Sequence, residues 1–272
     1  MTLRCNLSCE KCCVRVVEYK KKYMPTYEFL KLQIDKIYEV ADVINYFSVE
    51  GGEPLLHKNL ADVLRHTLKY KDRIGIELPL ITNGSIMFGD ELIHALSEFG
   101  VKAHVIIDDY GKKNSPHVKD IANVMAESGI RCSIKDYANN LYYGGWVDLY
   151  DDYALKHTKE ESLELFAKCA WSQKLRGPLE IIGGMVFYCP PCRMNYERGV
   201  DTSDGYVDLL DESISRDEKR DKIRGWYSMK GLTACMYCNG IHDDSKRYTP
   251  AKQLTPEQLV NVCTNEFVYR EE

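Results

Sequence analysis

Three cysteines close to the start of the chain have a spacing that suits a metal centre. Cys5, Cys9 and Cys12 form a C-x3-C-x2-C pattern. Thiolates are soft ligands that favour iron–sulfur clusters and zinc. Three of them can ligate three irons of a cubane [4Fe–4S] cluster, which leaves the fourth iron open to a small molecule. The pattern therefore favours an iron–sulfur site with one open iron.

A structural zinc site is the alternative for the same cysteines. Such a site needs four ligands, commonly two C-x2-C pairs or a mixture of Cys and His. Cys13 follows Cys12 directly, and adjacent residues seldom both reach one metal ion, while the first histidine of the chain is His57. The spacing thus favours iron over zinc, and the zinc alternative stays open.

A second candidate for chemistry is the segment Gly51-Gly52-Glu53-Pro54, which follows a strand-like stretch. Two glycines let the backbone approach a ligand closely. The carboxylate after them can accept hydrogen bonds from an ammonium group. A simple strand-to-loop turn explains these four residues equally well when they are taken alone.

Polar residues also end the next two strand-like stretches. Thr82, Asn83 and Ser85 lie in the segment Ile-Thr-Asn-Gly-Ser, and Asp108 closes an apolar run that continues as Asp-Tyr-Gly. Ligands of α/β proteins bind at the carboxyl ends of parallel strands, so these side chains are candidates for contacts with a cofactor or substrate. Ordinary polar turns, the first of them capped by Ser85, are the alternative.

A second group of cysteines lies in the latter half of the chain, and its members are Cys169, Cys189, Cys192, Cys235 and Cys238. Residues 179–182 and 185–188 alternate in the manner of a hairpin that turns at Gly183-Gly184. Four thiolates from this group would complete one closed [4Fe–4S] cluster, and a four-cysteine zinc ribbon is the alternative. The fifth would then be an alternate ligand, a bystander or a hydrogen-atom donor.

The apolar pattern predicts the elements that position these groups. Strand-like stretches cover residues 44–49, 76–82, 101–108 and 130–135, and helix-like stretches cover residues 27–41, 60–70, 90–99 and 117–128. This alternation predicts βαβ units, a parallel sheet and an α/β fold. A further, first strand would have to fit into residues 1–4. A short helix with Pro256 in its first turn is expected at residues 255–262.

Aromatic residues on a glycine-bearing loop follow the last of these strands. Residues 142–146 read Tyr-Tyr-Gly-Gly-Trp. This loop can line a substrate pocket in which sugars stack on aromatic rings, or Trp146 can anchor a domain junction. The sequence favours neither interpretation.

Taken together, the cysteine triplet and the glycine motif resemble the radical SAM enzymes, which cleave S-adenosylmethionine (SAM). The stretch Cys5-Asn6-Leu7 is common there, whereas Lys11 stands where an aromatic residue near adenine is usual. The resemblance implies a partial (β/α)6 barrel with a SAM-bound cluster on the triplet. It also implies that SAM lies against residues after three strands, namely Gly51, Gly52, Glu53, Pro54, Thr82, Asn83, Ser85 and Asp108.

The second cysteine group resembles the SPASM and twitch domains that extend many radical SAM enzymes. Their C-x(9–15)-G-x4-C opening matches Cys169, Gly184 and Cys189. The resemblance implies one auxiliary [4Fe–4S] cluster on Cys169, Cys189, Cys235 and Cys238. Only Cys263 follows these residues, which favours a small twitch-like domain. The implied domains are a barrel at 1–165, a twitch-like cysteine-rich domain at 166–245 and a tail at 246–272.

The resemblance also implies the reaction type. A 5′-deoxyadenosyl radical would abstract hydrogen from a small polar substrate, which we expect to be a carbohydrate or aminocyclitol, for oxidation or epimerisation. Relatives that modify ribosomally made peptides often carry an N-terminal domain that binds the leader peptide. Because the cluster motif begins at residue 5, we expect no such domain before it, and peptide modification is only the alternative. Cys192 is the candidate catalytic hydrogen donor, and flavodoxin or ferredoxin is the expected source of electrons.

Composition excludes several other classes of protein. The 272 residues carry 36 Lys and Arg against 41 Asp and Glu, a net charge of −5, so there is no basic excess for nucleic acid. No apolar run is long enough to predict a membrane span. The 11 cysteines without a secretion signal indicate metal ligation in a reducing cytoplasm. A zinc-stabilised binding protein is the alternative to an enzyme.

Overall fold

The computed structural model of the chain describes residues 1–140, 146–150, 152–175 and 178–272. Its contacts divide the chain into two compact units. Unit 1 comprises Met1–Glu10, Val16–Leu141 and Pro250–Glu272, and unit 2 comprises Lys11–Arg15 and Tyr142–Thr249. The domains expected from the sequence stay a prediction, although by contacts the last 23 residues join unit 1. Of the aromatic loop at 142–146, all but Trp146 lies outside the described residues, and Trp146 is buried.

Unit 1 contains a parallel sheet with the strand order β1-β2-β3-β4. Its strands are β1 (Ile44–Tyr46), β2 (Ile74–Thr82), β3 (Ala103–Asp109) and β4 (Arg131–Asp136). The helices before or between them are α1 (Tyr27–Val40), α2 (Leu60–Thr67), α3 (Asp90–Ser97) and α4 (Val118–Glu127). The predicted α/β fold with a parallel sheet is therefore confirmed, element by element.

The sheet differs from the predicted barrel in the number of its strands. In the described part of unit 1 it has four strands rather than six. Residues 1–4 form no strand, because their backbone groups bond to loops instead: Leu3 N donates to Tyr23 O at 2.9 Å, and Thr2 O and Arg4 O accept from the glycine motif.

One face of the sheet is buried in an apolar core. Leu78 and Leu80 of β2 and Val105 and Ile107 of β3 have no exposed surface. Side chains alternate between the two faces of a strand, so Asp108 points to the face opposite Ile107. Parallel register pairs Asp108 with Lys135 of β4. The carboxyl ends of β2 and β3 thus present polar residues beside one another.

Unit 2 is built on a three-stranded antiparallel sheet. Its strands are β5 (Glu180–Ile182), β6 (Met185–Phe187) and β7 (Tyr206–Asp208), in that order. The predicted hairpin is confirmed, with Gly183 and Gly184 at φ angles of +60° and +80° that favour glycine. Strand β7 was not predicted from the apolar pattern.

Four described helices also belong to unit 2, namely α5 (Lys159–Lys168), α6 (Ala170–Gln173), α7 (Pro190–Glu197) and α8 (Arg216–Trp226). Capping boxes at Thr158 and Ser215 start α5 and α8. Helix α9 (Pro256–Val262) belongs to unit 1 and confirms the predicted C-terminal helix. None of the described helices combines the length and apolar character needed to cross a membrane.

Candidate functional site

The glycine motif packs against the residues that lead into Cys5. Gly52 N donates to Thr2 O at 2.7 Å, and Glu53 N donates to Arg4 O at 2.8 Å. A Cβ atom on Gly51 would lie 2.3 Å from Thr2 O, and one on Gly52 would lie 2.1 Å from Arg4 O. Neither position tolerates a side chain. The close approach expected of these glycines is therefore made to the chain itself, at the entrance to the cysteine loop.

Glu53 joins the glycine motif to the end of β2. Its side chain is fully buried. Its carboxylate accepts from Leu55 N at 3.1 Å, from Thr82 Oγ1 at 3.0 Å and from Asn83 N at 2.9 Å. Burial raises the pKa of this carboxyl and the three hydrogen bonds oppose that rise. Pro54 begins a short 3-10 helix beside it.

The turn after β2 reaches the cysteine loop. Asn83 Nδ2 donates to Asn6 Oδ1 at 3.0 Å and contacts Cys5 Sγ at 3.8 Å. Asn6 Nδ2 in turn donates to Ser85 Oγ at 2.8 Å, and Ser85 N donates to Asn83 Oδ1 at 2.9 Å. A continuous network of hydrogen bonds thus runs from the glycine motif through the end of β2 to Cys5.

Cys9 and Cys12 have different surroundings from Cys5. Cys9 is buried in unit 1, and its sulfur accepts from Gln253 Nε2 at 3.2 Å. Cys12 belongs to unit 2 and its carbonyl accepts from Arg15 N at 2.9 Å. Sequence reasoning missed Gln253, because nothing in a sequence relates two residues 244 positions apart.

Lys11, which stands where an aromatic residue is usual, contacts two residues of unit 2. Its ammonium pairs with the Asp148 carboxylate and lies 5.4 Å from the centroid of the Tyr248 ring. Lys11 also has a positive φ of 57°. The tight turn at Lys11 is therefore held by charge and by a cation–π contact.

Asp108 carries a carboxylate oxygen that no described residue satisfies. Its Oδ2 accepts from Tyr110 Oη at 3.3 Å, while Oδ1 is buried without a hydrogen-bond partner in the described structure. Burial raises the pKa of Asp108 to about 6, although Lys135 and Tyr110 act to lower it. A buried acceptor without a donor costs free energy, so this oxygen fits a donor supplied by a ligand such as SAM or a substrate.

A separate cavity lies within unit 2, and its empty space, together with the open solvent at its mouth, is about 480 Å³. Four of the residues that line it are the predicted auxiliary ligands Cys169, Cys189, Cys235 and Cys238. The rest of the lining is largely apolar and includes Leu149, Leu165, Phe166, Tyr188 and Ile241. The structure thus brings together thiols that the sequence separates by up to 69 positions.

The four thiols share the lining of one cavity. No group of three or more His, Cys, Asp or Glu side chains in the described ranges lies close enough to hold a single ion. Burial raises the pKa of Cys235 to about 12 and also raises that of Cys189 and Cys238. A bound cationic centre would reverse this effect, because metal coordination deprotonates thiols. The number of these thiols equals the four thiolates that a cubane cluster binds.

Cys192 does not line that cavity. Its side chain is fully buried, its sulfur lies 3.5 Å from Cys189 Sγ, and a Cβ on Gly205 would lie 2.5 Å from it. A hydrogen-atom donor must touch the substrate radical, so this burial weighs against the catalytic role expected for Cys192. That role stays a prediction.

Three comparisons with known proteins complete the description of the site. The family model described as "Radical SAM superfamily" matches residues 1–128. No curated protein matches the sequence. Among solved structures, the crystal structure of BtrN in complex with AdoMet and 2-DOIA is similar in fold, with a TM-score of 0.53 and 19% identity over 93% of this chain and 95% of that chain.

The family match and the hydrogen-bond network concern the same residues. The matched range includes all three cysteines of the triplet, the glycine motif, the turn after β2 and Asp108. The fold similarity extends beyond that range over nearly the whole chain. Residues 1–128 of this chain are therefore similar to the radical SAM superfamily.

Proposed function

We propose that this protein is a radical SAM enzyme that abstracts a hydrogen atom from a small polar substrate. The observation that carries the proposal is the network in unit 1, which links Glu53, Thr82 and Asn83 to Cys5. Three motifs that are far apart in sequence meet there. Their hydrogen bonds order the backbone of the cysteine loop beside the end of β2, where parallel α/β sheets bind ligands.

Cys5, Cys9 and Cys12 would hold the [4Fe–4S] cluster whose open iron binds SAM. The Sγ atoms of Cys5 and Cys9 accept contacts from the amides of Asn83 and Gln253, as cluster thiolates do. When bound, the reduced cluster supplies the electron that cleaves SAM to methionine and the 5′-deoxyadenosyl radical.

SAM would lie against the ends of the first three strands. The glycine motif would contact its amino group, with Thr82, Asn83 and Ser85 near its ribose and carboxylate. Asp108 Oδ1 would accept from SAM or from the substrate, because it is buried without a partner among the described residues. The acceptor atoms of Glu53 are already bonded to the chain, so this residue would act mainly by holding the loop in place.

The role of Glu53 leads to a prediction about affinity. We expect Glu53→Ala to weaken SAM binding about tenfold to a hundredfold, because the loop loses charge-assisted contacts. Equilibrium dialysis of the cluster-loaded protein measures this, with the exposed Glu98→Ala as the matched control. 5′-Methylthioadenosine lacks the amino acid group of SAM. If Glu53 acts by holding the loop, Glu53→Ala should weaken the binding of this compound as well. Full SAM affinity in Glu53→Ala would contradict both roles.

An auxiliary [4Fe–4S] cluster is proposed for the cavity of unit 2. The support is that Cys169, Cys189, Cys235 and Cys238 all line that cavity. Their largely apolar surroundings would limit the access of water to the cluster and so influence its reduction potential. Unit 2 would then be a twitch-like domain, and flavodoxin or ferredoxin would supply electrons in the cytoplasm.

We propose a carbohydrate or aminocyclitol as the substrate class, with a ribosomally made peptide as the alternative. The BtrN structure is a complex with AdoMet and 2-DOIA, and these ligands support a small molecule. The reaction would be oxidation or epimerisation at a C–H bond. For oxidation, the substrate radical would lose one electron to the auxiliary cluster and one proton to a base. For epimerisation, a donor would return a hydrogen atom to the opposite face.

Deuterium transfer tests the proposed function directly. The anaerobic, reduced protein is given SAM with a panel of deuterated aminocyclitols, sugars and peptides. We expect deuterium in 5′-deoxyadenosine with a member of the first two groups. Deuterium transfer only from peptides would assign the alternative substrate class. No SAM cleavage by iron-loaded protein with any member of the panel would reject the proposal.

The same assay, applied to Cys192→Ala with analysis of the product, distinguishes epimerisation from oxidation. In an epimerase that uses this thiol as donor, Cys192→Ala should still transfer deuterium to 5′-deoxyadenosine but form no inverted product. In a dehydrogenase, the variant should remain largely active unless Cys192 is a cluster ligand. A normal yield of inverted product from Cys192→Ala would exclude Cys192 as the donor, which is the outcome that its complete burial favours.

A further inference from the structure

The segment before α9 pairs with the cysteine loop of unit 1. Glu10 N donates to Lys252 O at 2.7 Å, and Leu254 N donates to Ser8 O at 2.8 Å. These bonds flank an antiparallel bridge between Cys9 and Gln253. The C-terminal segment therefore pairs with the loop that carries Cys9 as a neighbouring strand would, and these bonds hold the loop in place.

Two backbone groups, one that can only donate and one that can only accept, fix the orientation of the Gln253 side chain. Its Oε1 accepts from Ser8 N at 2.7 Å, and its Nε2 donates to Ala251 O at 2.7 Å. A backbone N–H can only donate and a carbonyl can only accept, so the amide cannot be rotated by 180° without losing both bonds. This orientation directs an Nε2 hydrogen to Cys9 Sγ, 3.2 Å away.

We propose that Gln253 is a positioning residue for the SAM-bound cluster: it orients Cys9 Sγ and raises the reduction potential of the cluster. The inference rests on the proposed function, since it takes Cys9 as a ligand. Reduction adds negative charge to the cluster and its sulfurs. A donor aimed at a ligand sulfur stabilises that charge, and hydrogen bonds to sulfur are one of the factors that set cluster potentials.

Gln253→Glu removes the donor to Cys9 Sγ and to Ala251 O and adds one negative charge. The carboxylate still accepts from Ser8 N, but an oxygen replaces the N–H beside Cys9 Sγ. We expect the ratio of reduced to oxidised cluster at a fixed potential to fall about tenfold, which is about 59 mV for one electron. An EPR-monitored redox titration measures this ratio. The signal that changes when SAM is added identifies the relevant cluster.

Gln258→Glu is the matched control. It makes the same charge change five positions further along the same segment. The Gln258 side chain accepts from Thr255 N in the capping box of α9, and glutamate serves equally well there. We expect the potential of this control to equal that of the parent. The neutral Gln253→Leu should lower the potential in the same direction as Gln253→Glu.

Two outcomes distinguish failure of the inference from failure of the proposed function. Equal potentials in the parent, Gln253→Glu and Gln253→Leu, with full iron content, would overturn the inference and leave the function intact. A parent protein without a SAM-sensitive signal would reject the function itself.

A second measurement covers variants that lose iron. In cluster-free protein, we expect alkylation of the buried Cys9 to be about tenfold faster in Gln253→Leu than in the parent, because the loop loses the bonds of Gln253 to Ser8, Ala251 and Cys9 and opens more often. The rate at Cys5, which Gln253 does not contact, should be unchanged. Lost iron with unchanged alkylation of Cys9 would overturn the inference.

Discussion

Replacing Cys5, Cys9 and Cys12 together with alanine is expected to remove about four irons from each chain and to abolish SAM cleavage. The expected loss is complete because a cubane cannot be held without thiolates, and SAM has no open iron to bind. Unit 1 should stay folded, since its core is the sheet and helices rather than the cysteine loop. Iron and sulfide analysis, with the 5′-deoxyadenosine yield under reductant, measures both effects.

Cys132→Ala is the matched control for the triplet. Cys132 lies half-buried on β4, outside both cysteine groups, and its pKa is raised by burial alone. We expect this variant to keep its iron and to cleave SAM. Full iron and normal cleavage in the triple variant would reject the cluster assignment. Zinc without iron in anaerobically purified parent protein would favour a zinc-stabilised binding protein instead.

The double variant Cys235→Ala, Cys238→Ala should lose about four irons as well, but from the auxiliary site. The SAM-sensitive EPR signal of the first cluster should remain. We also expect a lower melting temperature and lower solubility, because metal ligation in a short, loop-rich segment is coupled to its folding. Without a cluster, the largely apolar cavity retains only the thiols of Cys169 and Cys189.

Cys192→Ala is the control within unit 2 for the double variant. Its thiol is buried like those of Cys189 and Cys238, but it is not among the residues that line the cavity. We expect this variant to keep the iron of both clusters. Loss of iron would identify Cys192 as a ligand. A double variant with iron and stability equal to those of the parent would show that the cavity holds no cluster.

The sequence by itself determined the local features of this protein. Alternating apolar periodicity predicted the strands of the parallel sheet and the helices between them, because burial of one face imposes that period. Gly183 and Gly184 predicted the hairpin of unit 2, since a tight turn requires positive φ angles. Ligand chemistry and spacing indicated the triplet and the radical SAM resemblance, and the match over residues 1–128 agrees with it.

The sequence analysis did not assign the glycine motif its packing role. Gly51 and Gly52 were expected to admit a ligand, but the backbone they approach belongs to Thr2 and Arg4. Local sequence shows that a glycine permits close approach. It does not show what approaches, because that depends on which distant segment the fold brings alongside.

Only the tertiary structure decided the contacts between distant residues. Gln253 meets Cys9 across 244 positions, and four cysteines spread from 169 to 238 line one cavity. It also decided that Cys192, three residues from Cys189, is fully buried against Gly205. The physical reason is the distance along the chain between the residues in contact. Periodicity and spacing reflect interactions within one turn or strand, whereas these contacts form only when the chain folds back on itself.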